Sequence, residues 1–276
     1  MADRCWLITG VASGLGKALM EAVVQHGDRV VGTVRREPHP LPAFAGAANA
    51  RLVTLDLNDP ASVAHGVAEA ADWLGGIDVL VNNAGVGMFG VVEACSIDDF
   101  RLAMDVNYFG TVAMCQSALP HLRAARGTLI NVASMAGMEA FGGTAAYAAS
   151  KHAVVGLTEA LHAELAPLGV RVMLSLPGGY RTNFWSARSN TIRDGLGDVY
   201  GAYPCGQVTE RSQQHVGNEL GDPARLARLM IAMVEGETLP LYLVGGADGV
   251  AVVEAKVTAM AADMDRNREV SIGAAY

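Results

Sequence analysis

Short apolar runs recur along the chain and alternate with stretches of helical period. Residues 5–9 (CWLIT), 29–34 (RVVGTV), 51–55 (RLVTL), 77–82 (IDVLVN), 127–133 (GTLINVA), 170–176 (VRVMLSL) and 239–244 (LPLYLV) predict strands. Runs this uniformly apolar suit strands buried on both faces. Helical patterns fill the intervals at 15–26, 60–74, 97–123 and 147–168. The second of these has Asp59 as a candidate N-cap and Pro60 in its first turn. The order predicts an α/β fold: a Rossmann-type doubly wound parallel sheet of about seven strands with helices on both faces, in one domain over 1–276. The rhythm breaks at 183–221, which is rich in glycine and scattered polar and aromatic residues. A long insertion after the sixth strand suits a lid over a substrate site. Residues 250–268 predict a terminal helix, seated either on its own body or on a partner subunit.

Composition narrows the function. Hydrophobic residues make up 51% and charged residues 17%, so a large core is expected and disorder is not. The net charge of −8 and the lack of any Lys/Arg-rich run argue against nucleic acid. No apolar stretch reaches about 18 residues, so no membrane helix is expected, and no secretory signal is read at the start. Cys5, Cys95, Cys115 and Cys205 lie far apart, and the histidines show no ligand spacing. A reduced, cytoplasmic protein without a structural metal is the expectation.

The first candidate site is the turn after the first strand, TGVASGLG at 9–16. Gly10 suits a tight turn, Gly14 a close approach to a pyrophosphate, and Gly16 close helix packing. Ser13 and Leu15 lie between them, at a helix start whose N–H groups attract anions. The spacing departs from G-x-G-x-x-G, and a plain glycine-rich turn would look similar. The second candidate is the end of the second strand. An acidic residue there favours a free ribose hydroxyl, whereas arginine accommodates a 2′-phosphate. Val34 stands in that place and Arg35 follows, which favours NADP(H); Glu37 sits three residues late. The third is Tyr147 and Lys151, four residues apart and so on one helix face. A phenol near its usual pKa of about 10 is a poor base at neutral pH. A nearby ammonium is expected to lower it. The same pair would also suit a solvated helix surface. Ser134, after a strand end, is placed to donate to a substrate oxygen.

Together these residues resemble the classical short-chain dehydrogenase/reductase family. The matching elements are T-G-x-x-x-G-x-G at 9–16, Asn82-Asn83-Ala84-Gly85, Asn107, Ser134, Tyr147-x-x-x-Lys151, and Pro177-Gly178 with Thr182. They appear in family order over roughly 5–182. The resemblance implies Tyr147 as catalytic acid/base, with Ser134 beside it. It also implies Lys151 on the nicotinamide ribose and Asn107 holding a water that connects Lys151 to solvent. Asp56 and Leu57 would meet the adenine, Asn83 and Gly85 would line the cleft, and Tyr180 and Thr182 would contact the nicotinamide end. It further implies a homodimer, with a tetramer as the alternative, built from the helices at 97–123 and 147–168. Phe89, Met135, Met138, Phe141, Phe184 and Trp185 are expected to face a medium-sized apolar carbonyl or secondary alcohol substrate. Arg181, Arg188 and Arg193 leave a phosphorylated substrate open. The competing readings are a nucleotide-sensing protein without catalysis, which often lacks the Tyr or Lys, and a sugar-nucleotide epimerase, for which the tail is short.

Overall fold

A computed structural model describes residues 4–36, 46–185 and 190–274. Glu37 and Arg188 lie outside them. Seven parallel strands form one sheet: β1 (Cys5–Ile8), β2 (Arg29–Val34), β3 (Ala50–Thr54), β4 (Val79–Asn82), β6 (Thr128–Val132), β7 (Arg171–Pro177) and β9 (Tyr242–Gly245). The skipped numbers belong to β5 (Gly87–Gly90) and β8 (Asn190–Arg193), which pair only with each other.

The order β3-β2-β1-β4-β6-β7-β9 runs outward in both directions from β1. That reversal opens a crevice beyond the carboxyl ends of β1 and β4, where ligands bind in open α/β sheets. Successive side chains on β1 serve opposite layers. Trp6 and Ile8 enter a core with Met20 of α1 (Gly14–His26) and Met230 of α8 (Pro223–Glu235). Leu7 enters another with Leu74 of α2 (Pro60–Leu74), Met114 of α4 (Gly110–Ala125) and Leu161 of α5 (Ala145–Leu165). Burial on both faces explains why the strands are apolar runs.

The α2 start follows its sequence signal: the Asp59 carboxylate accepts from the Ala61 N–H at 2.9 Å, with Pro60 in the first turn. The expected continuous helix at 97–123 is corrected. It divides into α3 (Ile97–Met104), a π-helical turn at Asp105–Phe109, and α4. π turns commonly mark functional sites, and this one holds Asn107, 1% exposed, against β5 and α5.

The described residues within 183–221 are more regular than their sequence suggests. It contributes β8, α6 (Gly197–Tyr200) and α7 (Val208–His215). Arg193 of β8 forms a forked ion pair with Asp99, at 2.7 Å from Nη2 and 3.1 Å from Nε. This fixes the insertion onto α3, and the guanidinium holds the Asp99 carboxyl down to about 2. The terminal helix, α9 (Ala247–Ile272), is longer than expected at both ends.

Candidate active site

A cleft of about 420 Å³ lies at the crevice. Gly10, Ser13, Gly14, Leu15, Arg35, Asp56, Leu57, Asn83, Gly85, Ser134, Tyr147, Lys151, Tyr180 and Thr182 all reach its wall. Of the expected site residues, Gly16 and Asn107 stand behind that wall.

The end near α1 is made largely of backbone. Gly10 has φ +74°, and a Cβ there would lie 2.8 Å from the Ala84 Cα, so turn and strand end meet too closely for a side chain. Asn83 fastens this contact: its Nδ2 donates to the Thr9 carbonyl at 2.9 Å. Thr9 Oγ1 accepts from the Asn83 and Ala84 N–H groups at 2.9 and 3.0 Å. Thr9 was not singled out in the sequence; its signal was a hydroxyl closing an apolar strand. Gly16 packs against Asn83 and Gly10, the close-packing role expected of it. Ser13 is the N-cap of α1, yet its side chain makes no capping bond. The first-turn N–H groups therefore remain available to an anion at the cleft wall. Arg35 is exposed at the end of β2. The Asp56 carboxylate accepts from the Asn58 N–H at 3.0 Å, and Leu57 packs beside Gly110.

The opposite end is made of buried side chains. Tyr147 and Lys151 rise from α5, 8% and 5% exposed, so they are not a solvated surface pair. Lys151 Nζ donates to the Val132 carbonyl at 3.0 Å and lies 5.9 Å from the Tyr147 ring centre. Ser134 stands beside the Tyr147 phenol and favours its ionised form. Burial pushes that phenol up to about 12, against the pull of Ser134. Burial also brings Lys151 down to about 8. The expectation that Lys151 lowers the Tyr147 pKa is therefore corrected. Both groups are taken out of water, and desolvation outweighs an ammonium that is bonded to a carbonyl instead.

Asn107 acts as a clamp. Its Oδ1 accepts from the Val86 N–H at 2.8 Å, and its Nδ2 donates to the Val86 carbonyl and to Ser150 Oγ at 3.0 and 2.9 Å. Ser150 in turn donates to the Tyr147 carbonyl at 2.7 Å. Gly85 lets these groups gather, since a Cβ there would stand 2.9 Å from Asn107 Oδ1 and 3.5 Å from Lys151 Nζ. Beneath them, Asn82 donates to Asn131 and Asn131 to Thr158, at 2.8 and 2.9 Å. Those amides were visible as lone polar residues inside apolar strands.

Phe89, Phe184 and Trp185 complete this end around Tyr147, with ring centres 5.0–6.1 Å apart. Met135 and Phe141 also line the cleft. Met138 does not; it packs on a separate core with Val154 and Leu174, because its short 3-10 turn carries it past the opening. Tyr180 reaches the cleft wall, but its hydroxyl points at Gly245. Thr182 sits against Gly14 and accepts from the Phe184 N–H at 3.2 Å. Arg181 donates to the Glu219 carbonyl, and Arg193 is committed to Asp99. Among the described residues no cluster of three metal-ligating side chains occurs, and no helix is long and apolar enough to cross a membrane.

The donor set fits a nicotinamide dinucleotide. An uncapped helix start and a close-packed glycine turn offer backbone N–H groups to an anion, an exposed arginine lies at the end of β2, and buried Tyr147 and Lys151 with half-buried Ser134 close the far end.

A family described as short chain dehydrogenase matches residues 4–193. A curated relative, Oxidoreductase BOA17 from Botryotinia fuckeliana, is 31% identical and covers 99% of each chain. A solved short-chain dehydrogenase from Streptomyces avermitilis superposes with a TM-score of 0.87, at 30% identity and 99% coverage of both chains. Two further solved structures differ in their ligand. A Burkholderia cenocepacia short chain dehydrogenase holds NADP (28% identity, TM-score 0.73, 96% and 97% covered). A Burkholderia phymatum short chain dehydrogenase/reductase holds NAD (24%, 0.78, 98% and 95%).

Proposed function

Because the chain belongs to the short-chain dehydrogenase family, we propose that it is an NADP(H)-dependent oxidoreductase that interconverts apolar ketones and secondary alcohols, with Tyr147 as acid/base. The observation that carries this reading is the pair of buried side chains Tyr147 and Lys151, with Ser134 beside the phenol, in the cleft whose other end is the glycine turn.

When bound, the nicotinamide supplies or accepts the hydride. Gly10, Ser13, Gly14 and Leu15 would hold the pyrophosphate through backbone N–H groups. Arg35 would fork onto the 2′-phosphate, while Asp56 and Leu57 border the adenine. Solved relatives carry either NADP or NAD, so the choice of NADP rests on Arg35 following Val34. In ketone reduction Tyr147 gives its proton to the carbonyl oxygen, which Ser134 also hydrogen-bonds. With its pKa near 12 the phenol is protonated at neutral pH, ready to donate. Lys151 would hold the ribose and keep a positive charge near the developing oxyanion. Asn107 fixes the start of β5 and the Tyr147 turn of α5 to each other.

The aromatic walls favour an apolar substrate, and the commitment of Arg181 and Arg193 elsewhere disfavours a phosphorylated one. The described residues 190–221 would serve as the lid of one catalytic domain. Homodimer formation is supported by Ile97 and Phe109, which are 66% and 55% exposed on the α3–α4 side. A cytoplasmic setting suits four free cysteines.

A panel of ketones and secondary alcohols, read by nicotinamide absorbance with both cofactors, tests the reading. It predicts turnover of apolar ketones with a preference for NADPH. Equal use of NADH would defeat the cofactor assignment. NADPH binding with no turnover across the panel would favour the nucleotide sensor.

A further inference from the structure

α9 leaves the body of the molecule. Gly249 is its one buried residue, and Val252, Val253 and Lys256 are half-buried. From Val257 onward every described residue of the helix is exposed. At 1.5 Å per residue, that bare portion is about 24 Å long. A helix of this length without tertiary packing is marginal in water.

Its apolar residues form a line. Val250, Val253, Val257, Met260 and Met264 follow alternating steps of three and four, the spacing of a two-helix seam. Val257, Met260 and Met264 are 55%, 52% and 61% exposed. The line begins where the helix is seated on its own subunit and continues past the end of that seat.

The charge pattern selects the occupant. Asp248, Glu254, Asp263, Asp265 and Glu269 outnumber Lys256, Arg266 and Arg268, so the polar side lacks the basic character that anionic lipid attracts. A second copy of the helix fits. With two helices antiparallel about a point between Thr258 and Ala259, Val257 of each meets Met260 of the other, and Val253 meets Met264. Lys256 of each then flanks Asp263 of the other, and no like charges are opposed along the seam. Antiparallel pairing also brings the bare half of each helix beside the other subunit's body.

We propose that α9 is a self-association element, pairing antiparallel with α9 of a second copy through this apolar line. The contact reaches the cleft through the base of the helix. Asp248 Oδ2 accepts from the Gly179 N–H at 2.6 Å, and Lys256 bonds Glu139 at 3.1 Å, so α9 holds two loops of the substrate edge. This contact is separate from the α3–α4 face and does not depend on the proposed chemistry.

The full-length chain and Val257→Glu/Met260→Glu are compared by multi-angle light scattering, with circular dichroism as a check on the fold. Both side chains are more than half exposed, so the body should fold as before. The wild type should exceed the mass of one 28.7 kDa chain, and the variant should have half the wild-type mass. A wild type at one-chain mass, or a variant of unchanged mass, overturns the proposal. Val253→Cys/Met264→Cys should give a covalent dimer on oxidation, whereas neither single variant should. Cross-linking by either single variant, or none by the double variant, overturns the antiparallel pairing.

Discussion

At the glycine turn the cleft wall is backbone, whereas at Tyr147 it is a set of buried side chains. The first end depends on φ angles and close approach: Gly10 against Ala84, and Gly16 against Asn83. The second depends on groups that titrate, namely a phenol raised to about 12 and an ammonium lowered to about 8, with three aromatic rings beside them. Backbone N–H groups keep their polarity at every pH, so they suit an anion that must simply be held. Buried ionisable groups respond to charge and water, so they suit a reacting oxygen. The two ends can therefore be broken separately, and Lys151 is the residue shared between them.

Lys151→Ala should therefore have the largest effect. It removes the ribose ligand and the positive charge together, and acid/base groups alone contribute roughly 10²–10⁴-fold. Steady-state turnover should fall by at least that much, and NADPH titration should weaken as well. Loss of turnover with unchanged NADPH affinity would place Lys151 at the catalytic end only.

Val34→Asp with Arg35→Ala acts on the opposite end. A hydrogen bond to a charged group is worth roughly 1.5–3 kcal/mol. NADPH affinity should drop by about 10- to 100-fold and preference should move towards NADH, with kcat on the better cofactor nearly kept. An unchanged NADPH to NADH ratio would remove Arg35 from the site.

The pH dependence of NADPH binding sharpens the role of Lys151. Its folded-state pKa is depressed from 10.5 to about 8, so the ammonium is present below about pH 8 and lost as pH rises through it. Affinity measured by fluorescence should be level below that point and fall above it, by at most about tenfold per pH unit for one proton. Lys151→Ala should abolish the bend. A bend that survives belongs to another group.

Arg193→Ala should give the smallest effect. The pair with Asp99 is half open to solvent on the arginine side, so its loss should lower stability only slightly. KM for the ketone should rise a few-fold, because β8 is less firmly held, while NADPH affinity stays put. The Asp99 pKa is depressed, so the pair's contribution is present above the ordinary carboxylate pKa and lost as pH falls towards 2. Denaturant midpoints near pH 7 and pH 3 would show the difference between wild type and variant shrinking at the lower pH.

The two ends also differed in how plainly the sequence announced them. The turn was legible because only glycine tolerates the conformations it needs, and the seven-strand sheet because burial on both faces forces apolar runs. Tyr147, Lys151 and Ser134 were legible through spacing and resemblance. Their electrostatics were not, since Val132 takes the Lys151 ammonium from 19 residues away. The β5–β8 pair escaped notice because four-residue strands around Phe89 and Ile192 carry little pattern, and their pairing spans an insertion. Asn107 was marked by resemblance, but its clamp on Val86 required the π turn, which no apolar period encodes. Met138 was misplaced because one 3-10 turn decides which neighbouring methionine faces the cleft.

Tyr147→Phe tests the central claim most directly, because it removes one hydroxyl and leaves the ring packed against Phe89 and Phe184. Turnover of a ketone that the wild type reduces well is measured beside NADPH binding on the same preparation. Turnover should fall by roughly 10²–10⁴-fold or more, with NADPH affinity within experimental error of wild type. Substantial turnover by Tyr147→Phe would contradict it.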